Sequence, residues 1–351
     1  MVCAVPTRLR RAAVPLLVSA LALTLTACGG SSSTASGFDA VSISGSFGQA
    51  PKFDWKKQMD AGSAQTKTLI SGNGPTLADG DTALVNIAVG DGWTKQTPIT
   101  TFGSSKGAVA VPVGGSAGQP QALGDLFATF LQKYVAAGTK VGTRIAIAVN
   151  TDKAFPQYAT AFANAHIDIG NQDGLVIVAD IAATVPKSQE SEKAPSGPAA
   201  KPAGWAPKVV TKSGAPTKLD FKGTPKPSGE LQTTTLVKGS GPALPDGSTA
   251  VVKYLGEVYG GTKPFDENFS KSSVLNVLIG KKVQPFQGYQ SGGPGAVDPV
   301  IPGWSQGLIG AHVGSRVLVQ IPPKMGYGSK PPTGIPANST LYFVVDVLGG
   351  A

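Results

Sequence analysis

Trp304, Tyr327 and Phe343 are the residues of this 351-residue chain around which a site can be built. They stand in the run 300–343, which opens V-I-P-G-W-S-Q-G-L-I-G and passes through G-Y-G to G-I-P-A-N-S-T-L-Y-F. Trp304 heads a short apolar segment in which Leu308 and Ile309 follow at helical spacing. Gly310 and Gly314 bound a turn, and a strand is predicted over 316–321. Pro322-Pro323 ends that strand, Gly326-Tyr327-Gly328 carries an aromatic in a loop, and Ile335-Pro336 leads into a last strand over 340–348. Large rings brought together from a helix, a loop and a strand form an apolar cup that can hold a nonpolar ligand away from water. Covalent or metal chemistry finds no support here. The only histidines, His166 and His312, have no cysteine or second histidine near them in sequence, and Gly239-Ser240-Gly241-Pro242 lacks the Lys-Ser/Thr of a phosphate loop. No metal and no cofactor are expected.

The order V-I-P-G-W, G-x-R-x-x-x-x-I-P-P, Y-G and I-P-x-N-x-T-L-x-F-x-V, with A-V-V-K-Y-L-G and P-F-D-E-N-F upstream, resembles the FKBP-type peptidyl-prolyl cis-trans isomerases. The resemblance covers roughly residues 230–349. It implies a prolyl pocket with Trp304 as its floor and Tyr254, Phe265 and Phe343 as walls. Tyr327 and the Ile301 backbone N–H would hold substrate carbonyls, and Asp266 would orient the pocket from its side. Val300, Ile301, Ile335 and Leu275 complete the substrate-binding set. Turning an Xaa-Pro bond breaks amide resonance against a barrier of about 18–20 kcal/mol. A dry aromatic pocket favours the twisted amide, which has less charge separation than the planar one, and each ~1.4 kcal/mol gained gives tenfold in rate.

Three departures from the family pattern stand out. Leu275 occupies a position where an aromatic is common, which thins one wall. Lys271 stands five residues after Asp266 in place of an arginine, keeping the charge without the bidentate fork. An insertion over 281–299 borders the pocket, either as a lid or chain-binding flap or as a tolerated surface loop.

The length suits two domains. With 46 Gly, 28 Pro and only 15% charged residues, the composition favours short strands and many turns over long helices. Arg8, Arg10 and Arg11 precede an uncharged apolar run over 12–27 ending in Leu25-Thr26-Ala27-Cys28, which reads as a signal peptide over 1–27. L-T-A-C resembles the bacterial lipobox, so Cys28 is expected to be lipidated, and residues 28–37 to form a flexible tether. With Cys3 removed, Cys28 is the only thiol and no intrachain disulfide can form. The net charge of +9 comes from scattered lysines and arginines without interleaved aromatics, which argues against a nucleic-acid partner.

The chain also repeats itself at a shift of about 167. Leu69-Ile70-Ser71-Gly72-Asn73-Gly74-Pro75 answers Leu236-Val237-Lys238-Gly239-Ser240-Gly241-Pro242, and Val141-Gly142-Thr143-Arg144-Ile145 answers Val313-Gly314-Ser315-Arg316-Val317. We therefore expect an α+β fold of two FKBP-like domains, over 38–184 and 209–351, each an antiparallel β-sheet wrapped around a helix, joined by a Pro/Ala/Lys-rich linker over 185–208. In the first copy an amphipathic helix is predicted from Leu123 to Val135, ended by Gly138. Aligned by the repeat, Ile87 stands for Tyr254, Gly103 for Asp266 and Phe155 for Tyr327, Gln132 falls near Trp304, and only Phe102 is kept in kind, as the match to Phe265. The first domain is expected to be degenerate and inactive. The resulting expectation is an isomerase lipid-anchored outside the cytoplasmic membrane and acting on proline-containing exported polypeptides. The alternative is a non-catalytic chaperone or scaffold lipoprotein that binds extended chains.

Overall fold

The computed structural model describes residues 33–103, 107–115, 120, 123–190, 195, 197–271, 273–282, 297–298 and 300–351. The signal peptide, Cys28 and most of the 281–299 insertion lie outside the described residues.

The first half runs β1 (Thr34–Ser36), β2 (Val41–Ser44), β3 (Lys52–Trp55), β4 (Gln58–Asp60), β5 (Gln65–Ile70), β6 (Thr82–Asp91), β7 (Ile99–Thr100), β8 (Val109–Pro112), α1 (Leu123–Leu131), β9 (Arg144–Asn150), α2 (Thr151–Ala154), α3 (Ala159–Asn164) and β10 (Gly174–Val185). After a single turn, α4 (Lys187–Glu190), the second half runs β11 (Lys208–Lys212), β12 (Ala215–Asp220), β13 (Gln232–Val237), β14 (Thr249–Val258), β15 (Asp266–Glu267), β16 (Leu275–Leu278), α5 (Pro302–Gly307), β17 (Arg316–Ile321) and β18 (Leu341–Gly350). The two main sheets share one topology. The first is ordered β5-β9-β10-β6-β7 with β8 also on β6, and the second β13-β17-β18-β14-β15 with β16 also on β14. Every pairing within them is antiparallel.

Each main sheet is covered on both faces, so its central strands read as nearly continuous apolar runs. In β18, Leu341, Phe343, Val345 and Val347 pack toward the α5 side with Trp304. The alternate residues Tyr342 and Val344 pack on the opposite face with Leu219 of the β11–β12 hairpin. The first sheet repeats this division. Ile145, Ile147 and Val149 join the α1 core, while Ala146 and Ala148 face Val41 and its neighbours on the β2–β3 hairpin. The period of two is present, but burial on both faces hides it in the sequence.

Among the described residues, a buried ion pair in each half ties the hairpin to its sheet. Arg144 donates to Asp180 and to the carbonyls of Gly45 and Gln49. Arg316 donates to Asp346 and to the Gly214 carbonyl. The repeated unit thus includes a hairpin ahead of each sheet. The halves also meet directly: Leu84, Ala110 and Val185 pack with Val251 and Leu348, and the Thr249 hydroxyl donates to the Ala108 carbonyl at 3.0 Å.

Several element bounds differ from expectation. Helix α1 stops at Leu131, because Tyr134 N–H tightens to the Leu131 carbonyl and Gly138 (φ 88°) turns the chain back onto Leu77. Helix α5 ends at Gly307, leaving Leu308 buried in a turn. Order begins within the stretch read as tether, since Ser33 accepts the Gln58 N–H and β1 runs parallel to β4. Part of the stretch read as linker adheres to the second half. Ala200 N–H bonds the Leu236 carbonyl, Lys238 N–H bonds the Pro198 carbonyl, and the Trp205 ring lies 6.3 Å from that of Tyr342.

Candidate active site

A cavity of about 420 Å³ opens on the α5 side of the second sheet. Its floor is Trp304, 2% exposed, in the first turn of α5. Pro302 starts that helix with a preset φ, and the sequence lets it sit close: a Cβ on Gly303 would fall 2.3 Å from Ile321 Cγ2. Ser305 fixes the helix from its other side, donating to the Leu278 carbonyl and accepting the Gly280 N–H.

The rings meet mostly edge to face. Trp304 lies 5.8 Å from both Tyr254 and Phe343, at 90° and 86°, and Phe265 lies 5.6 Å from Phe343 at 86°. Gly256, on β14 opposite Phe343 of β18, has no room for a side chain, since a Cβ there would come within 2.5 Å of the Phe343 ring and 2.7 Å of the Phe265 ring.

Polar groups stand at the rim. Tyr254 OH donates to Asp266 Oδ2 at 2.5 Å, and Asp266 Oδ1 accepts the Glu267 N–H at 2.9 Å. Asn268 holds the same strand in register by accepting the Tyr254 N–H at 2.7 Å, while its own N–H reaches the Tyr254 carbonyl. Burial, then Asp266, pushes the Tyr254 phenol above its ordinary range, and the same two causes raise Tyr327. Both phenols remain protonated donors at neutral pH.

Of the ten positions named from the sequence, Tyr254, Phe265, Asp266, Leu275, Val300, Ile301, Trp304, Tyr327 and Phe343 line this cavity. Ile335 is buried in the core beneath and does not line it. Asp298 does line it and was missed. It sits at the end of the insertion, outside any pattern, and only the backbone bridge to Val277 brings it to the rim. Against the opposing effect of burial, hydrogen bonds from Ser270 and then the charge of Lys271 hold the Glu267 carboxyl below its ordinary range, and the Lys271 carbonyl accepts the Lys253 ammonium at 2.9 Å.

Hydrogen bonds also correct the residue matching between the halves. Thr101 meets Ile87 through both backbone and side chain, as Asn268 meets Tyr254. Arg144 stacks over Phe102 at 5.5 Å, as Arg316 stacks over Phe269 at 5.8 Å. Phe102 therefore corresponds to Phe269, a residue of the opposite face, and Ile99, not Gly103, takes the place of Asp266. Gln132 bonds the Pro112 carbonyl as Ser305 bonds that of Leu278, which puts Leu131 at the position of Trp304. Here the first half fills its cup. Phe155, 2% exposed, packs 5.4 Å from both Phe127 and Phe162 and 5.3 Å from Phe130.

Residues 241–348 match the family model of FKBP-type peptidyl-prolyl cis-trans isomerase. The chain is 33% identical over 127 residues to the FKBP-type peptidyl-prolyl cis-trans isomerase FkpA of Escherichia coli (strain K12), covering 36% of this chain and 40% of that protein. It is 36% identical over 110 residues to FK506-binding protein 4 of Chaetomium thermophilum, covering 31% of this chain and 19% of that one. The crystal structure of FkpA from Escherichia coli aligns at 32% identity with a TM-score of 0.28, covering 35% of this chain and 49% of that one. The chain thus spans less than half the length of these relatives. The match and the aromatic cup coincide: every residue that lines the cavity lies within 241–348, the stretch that is similar to the FKBP-type peptidyl-prolyl cis-trans isomerases.

Proposed function

We propose that this protein is a peptidyl-prolyl cis-trans isomerase whose activity resides in the second half alone, and that the first half is a degenerate FKBP-like domain. The observation that carries the reading is the contrast between two sheets of one topology: one holds an open cup floored by Trp304, the other a cup filled by Phe155, Phe127 and Phe130. In the open cup a prolyl ring rests on the indole, and Tyr254, Phe265 and Phe343 exclude water from the amide. Planar amide is stabilised by charge separation that an apolar wall does not solvate, so the twisted form gains relative to it. The Tyr327 hydroxyl donates to a substrate carbonyl at the rim. No covalent step is needed. Turnover of a Leu-Pro peptide by the mature chain tests the assignment by domain: Trp304→Leu is expected to abolish it and Phe155→Ala to preserve it. The opposite pattern would assign the activity to the first half.

We place the protein outside the cytoplasmic membrane, lipidated at Cys28 and acting on exported polypeptides. Cys28 stands five residues before Ser33, which is already bonded to Gln58, so about 18 Å of extended chain at most separates the anchor from folded protein. A diacylated cysteine supplies two chains, enough for stable attachment. The mass of the mature N-terminal peptide tests this directly, and Cys28→Ala should release the protein from the membrane fraction. A free Cys28 thiol in the membrane-derived protein would refute it.

A further inference from the structure

Among the described residues, Trp93 is the exposed large hydrophobic side chain, at 43%. It stands in the turn between β6 and β7, and the turn is built to hold it there. Buried Asp91 accepts the Trp93 N–H at 2.8 Å and the Thr94 hydroxyl at 2.7 Å through its carboxylate. The Asp91 carbonyl accepts the Lys95 N–H at 2.8 Å, and the Asp91 N–H reaches the Gln96 carbonyl at 2.9 Å. Beneath the turn lie Phe53 and Trp55, stacked at 6.0 Å, together with Met59: a Cβ on Gly92 would fall 3.1 Å from the Trp55 ring and 2.6 Å from Met59 Cβ. These contacts hold an indole out in water, where it gains nothing from the core.

The place of this ring in the fold points to its partner. Met59 belongs to β4, which pairs with β1, and the neighbouring Gln58 N–H donates to the Ser33 carbonyl at 3.2 Å. Trp93 is therefore on the edge where the folded chain begins, five residues of sequence from Cys28. Lysines share that edge. Lys56 and Lys57 precede Gln58, Lys95 follows Trp93 by two residues, and Lys56 and Lys95 are exposed. The nearby carboxylates are engaged inside the fold: Asp91 holds the turn, buried Asp173 accepts the Gly170 N–H at 2.6 Å, and Asp60 accepts the Asn150 amide at 2.8 Å. Exposed Asp54 is offset by Lys52, two residues earlier on β3. Tryptophan settles at the headgroup level of a bilayer, with its apolar body inward and its N–H toward water. Lysines held close to an anionic leaflet add attraction that fades within a Debye length.

We propose that this edge seats the first half on an anionic lipid surface, with Trp93 entering at headgroup depth and Lys56, Lys57 and Lys95 lying against the headgroups. The inference deepens the membrane placement proposed above and rests on it, since a short connection to a lipidated Cys28 brings this edge to the bilayer. Without the anchor the patch binds weakly, so Cys28→Ala still releases the protein at physiological ionic strength. With the anchor, the patch sets which side of the protein faces the lipid.

The test uses the processed chain over 28–351 with Cys28→Ala, which lacks both leader and lipid and retains every described residue. Its partition onto vesicles of phosphatidylcholine with about one third phosphatidylglycerol should exceed that onto phosphatidylcholine alone by about tenfold at low salt, and the difference should vanish at about 0.5 M salt. Trp93→Ala should lower binding to the anionic vesicles several-fold, and Lys56→Glu with Lys95→Glu should lower it about tenfold. Lys226→Glu with Lys330→Glu, a pair of exposed lysines in the second half, should leave it nearly unchanged. Brominated lipid should quench tryptophan emission in the parent and fail to do so in Trp93→Phe. Equal losses in the two lysine pairs, quenching that persists in Trp93→Phe, or no preference for anionic vesicles at low salt overturns the proposal. The anchor stands or falls separately, on the mass of the N-terminal peptide.

Discussion

Arg316 faces Asp346 across paired strands and donates to both of its carboxylate oxygens, at 2.6 and 2.7 Å, while also reaching the Gly214 carbonyl at 3.0 Å. One guanidinium thereby joins β17, β18 and the β11–β12 hairpin, and Arg144 with Asp180 does the same in the first half. The pair is almost wholly buried, so removing one partner strands the other charge. Asp346→Ala should cost about 3–5 kcal/mol of stability in the second half, read by denaturant melts of that half's transition. Replacing both residues by apolar ones of similar volume should cost far less. Equal losses in the single and double variants would mean the pair is not the clamp described.

Glu257 is buried on the hairpin face, accepts the Leu219 N–H through Oε2 at 2.8 Å, and leaves Oε1 without a partner. Burial pushes its carboxyl above the ordinary range, against smaller lowering by the Leu219 N–H and Lys218. The folded state holds this proton to higher pH than the unfolded chain, so the carboxylate form penalises folding at neutral pH and the penalty fades as pH falls. Glu257→Gln keeps an acceptor for Leu219 and removes the charge. Its Tm should exceed that of the wild type by about 2–4 °C at pH 7.5, with the gap narrowing toward pH 5. A constant gap, or a lower Tm, contradicts this account of Glu257.

Gly256 separates the two wall rings, and a methyl group there would displace Phe343, Phe265 or both. Overpacking of this kind costs about 1–3 kcal/mol, and here it reshapes the cup. Gly256→Ala should lower kcat/KM on a Leu-Pro peptide at least tenfold while far-ultraviolet circular dichroism stays unchanged. Full activity in that variant would show that the walls do not depend on close approach at this position.

Much of this molecule is legible in its sequence because the relevant signals are local. Pro302 before Trp304, Gly314 before Arg316 and the Pro322-Pro323 stop mark the helix start, the turn and the strand end within a few residues. The repeat exposes the duplication. What escaped depends on contacts distant in the chain. Asp298 reaches the rim through a bridge to Val277, and Phe102 matches Phe269 through the Thr101–Ile87 and Asn268–Tyr254 hydrogen bonds and through an arginine more than forty residues away in each half. The hairpins share the repeat, but nothing in their short, mixed strands says that they cover the back of each sheet. Helix α1 is shorter than expected because Tyr134 and Val135 keep an apolar spacing while the Lys133 and Tyr134 N–H groups have already tightened onto the carbonyls three residues back, of Phe130 and Leu131.

The central claim is that the ring cluster on Trp304 lowers the barrier to Xaa-Pro rotation. Exchange between the cis and trans forms of a Leu-Pro peptide, followed by NMR with catalytic amounts of the protein, tests it most directly. The account predicts exchange well above the uncatalysed rate, at least tenfold slower in Trp304→Leu with the fold intact. Wild-type exchange no faster than the peptide alone, or a Trp304→Leu variant equal to wild type, would contradict it.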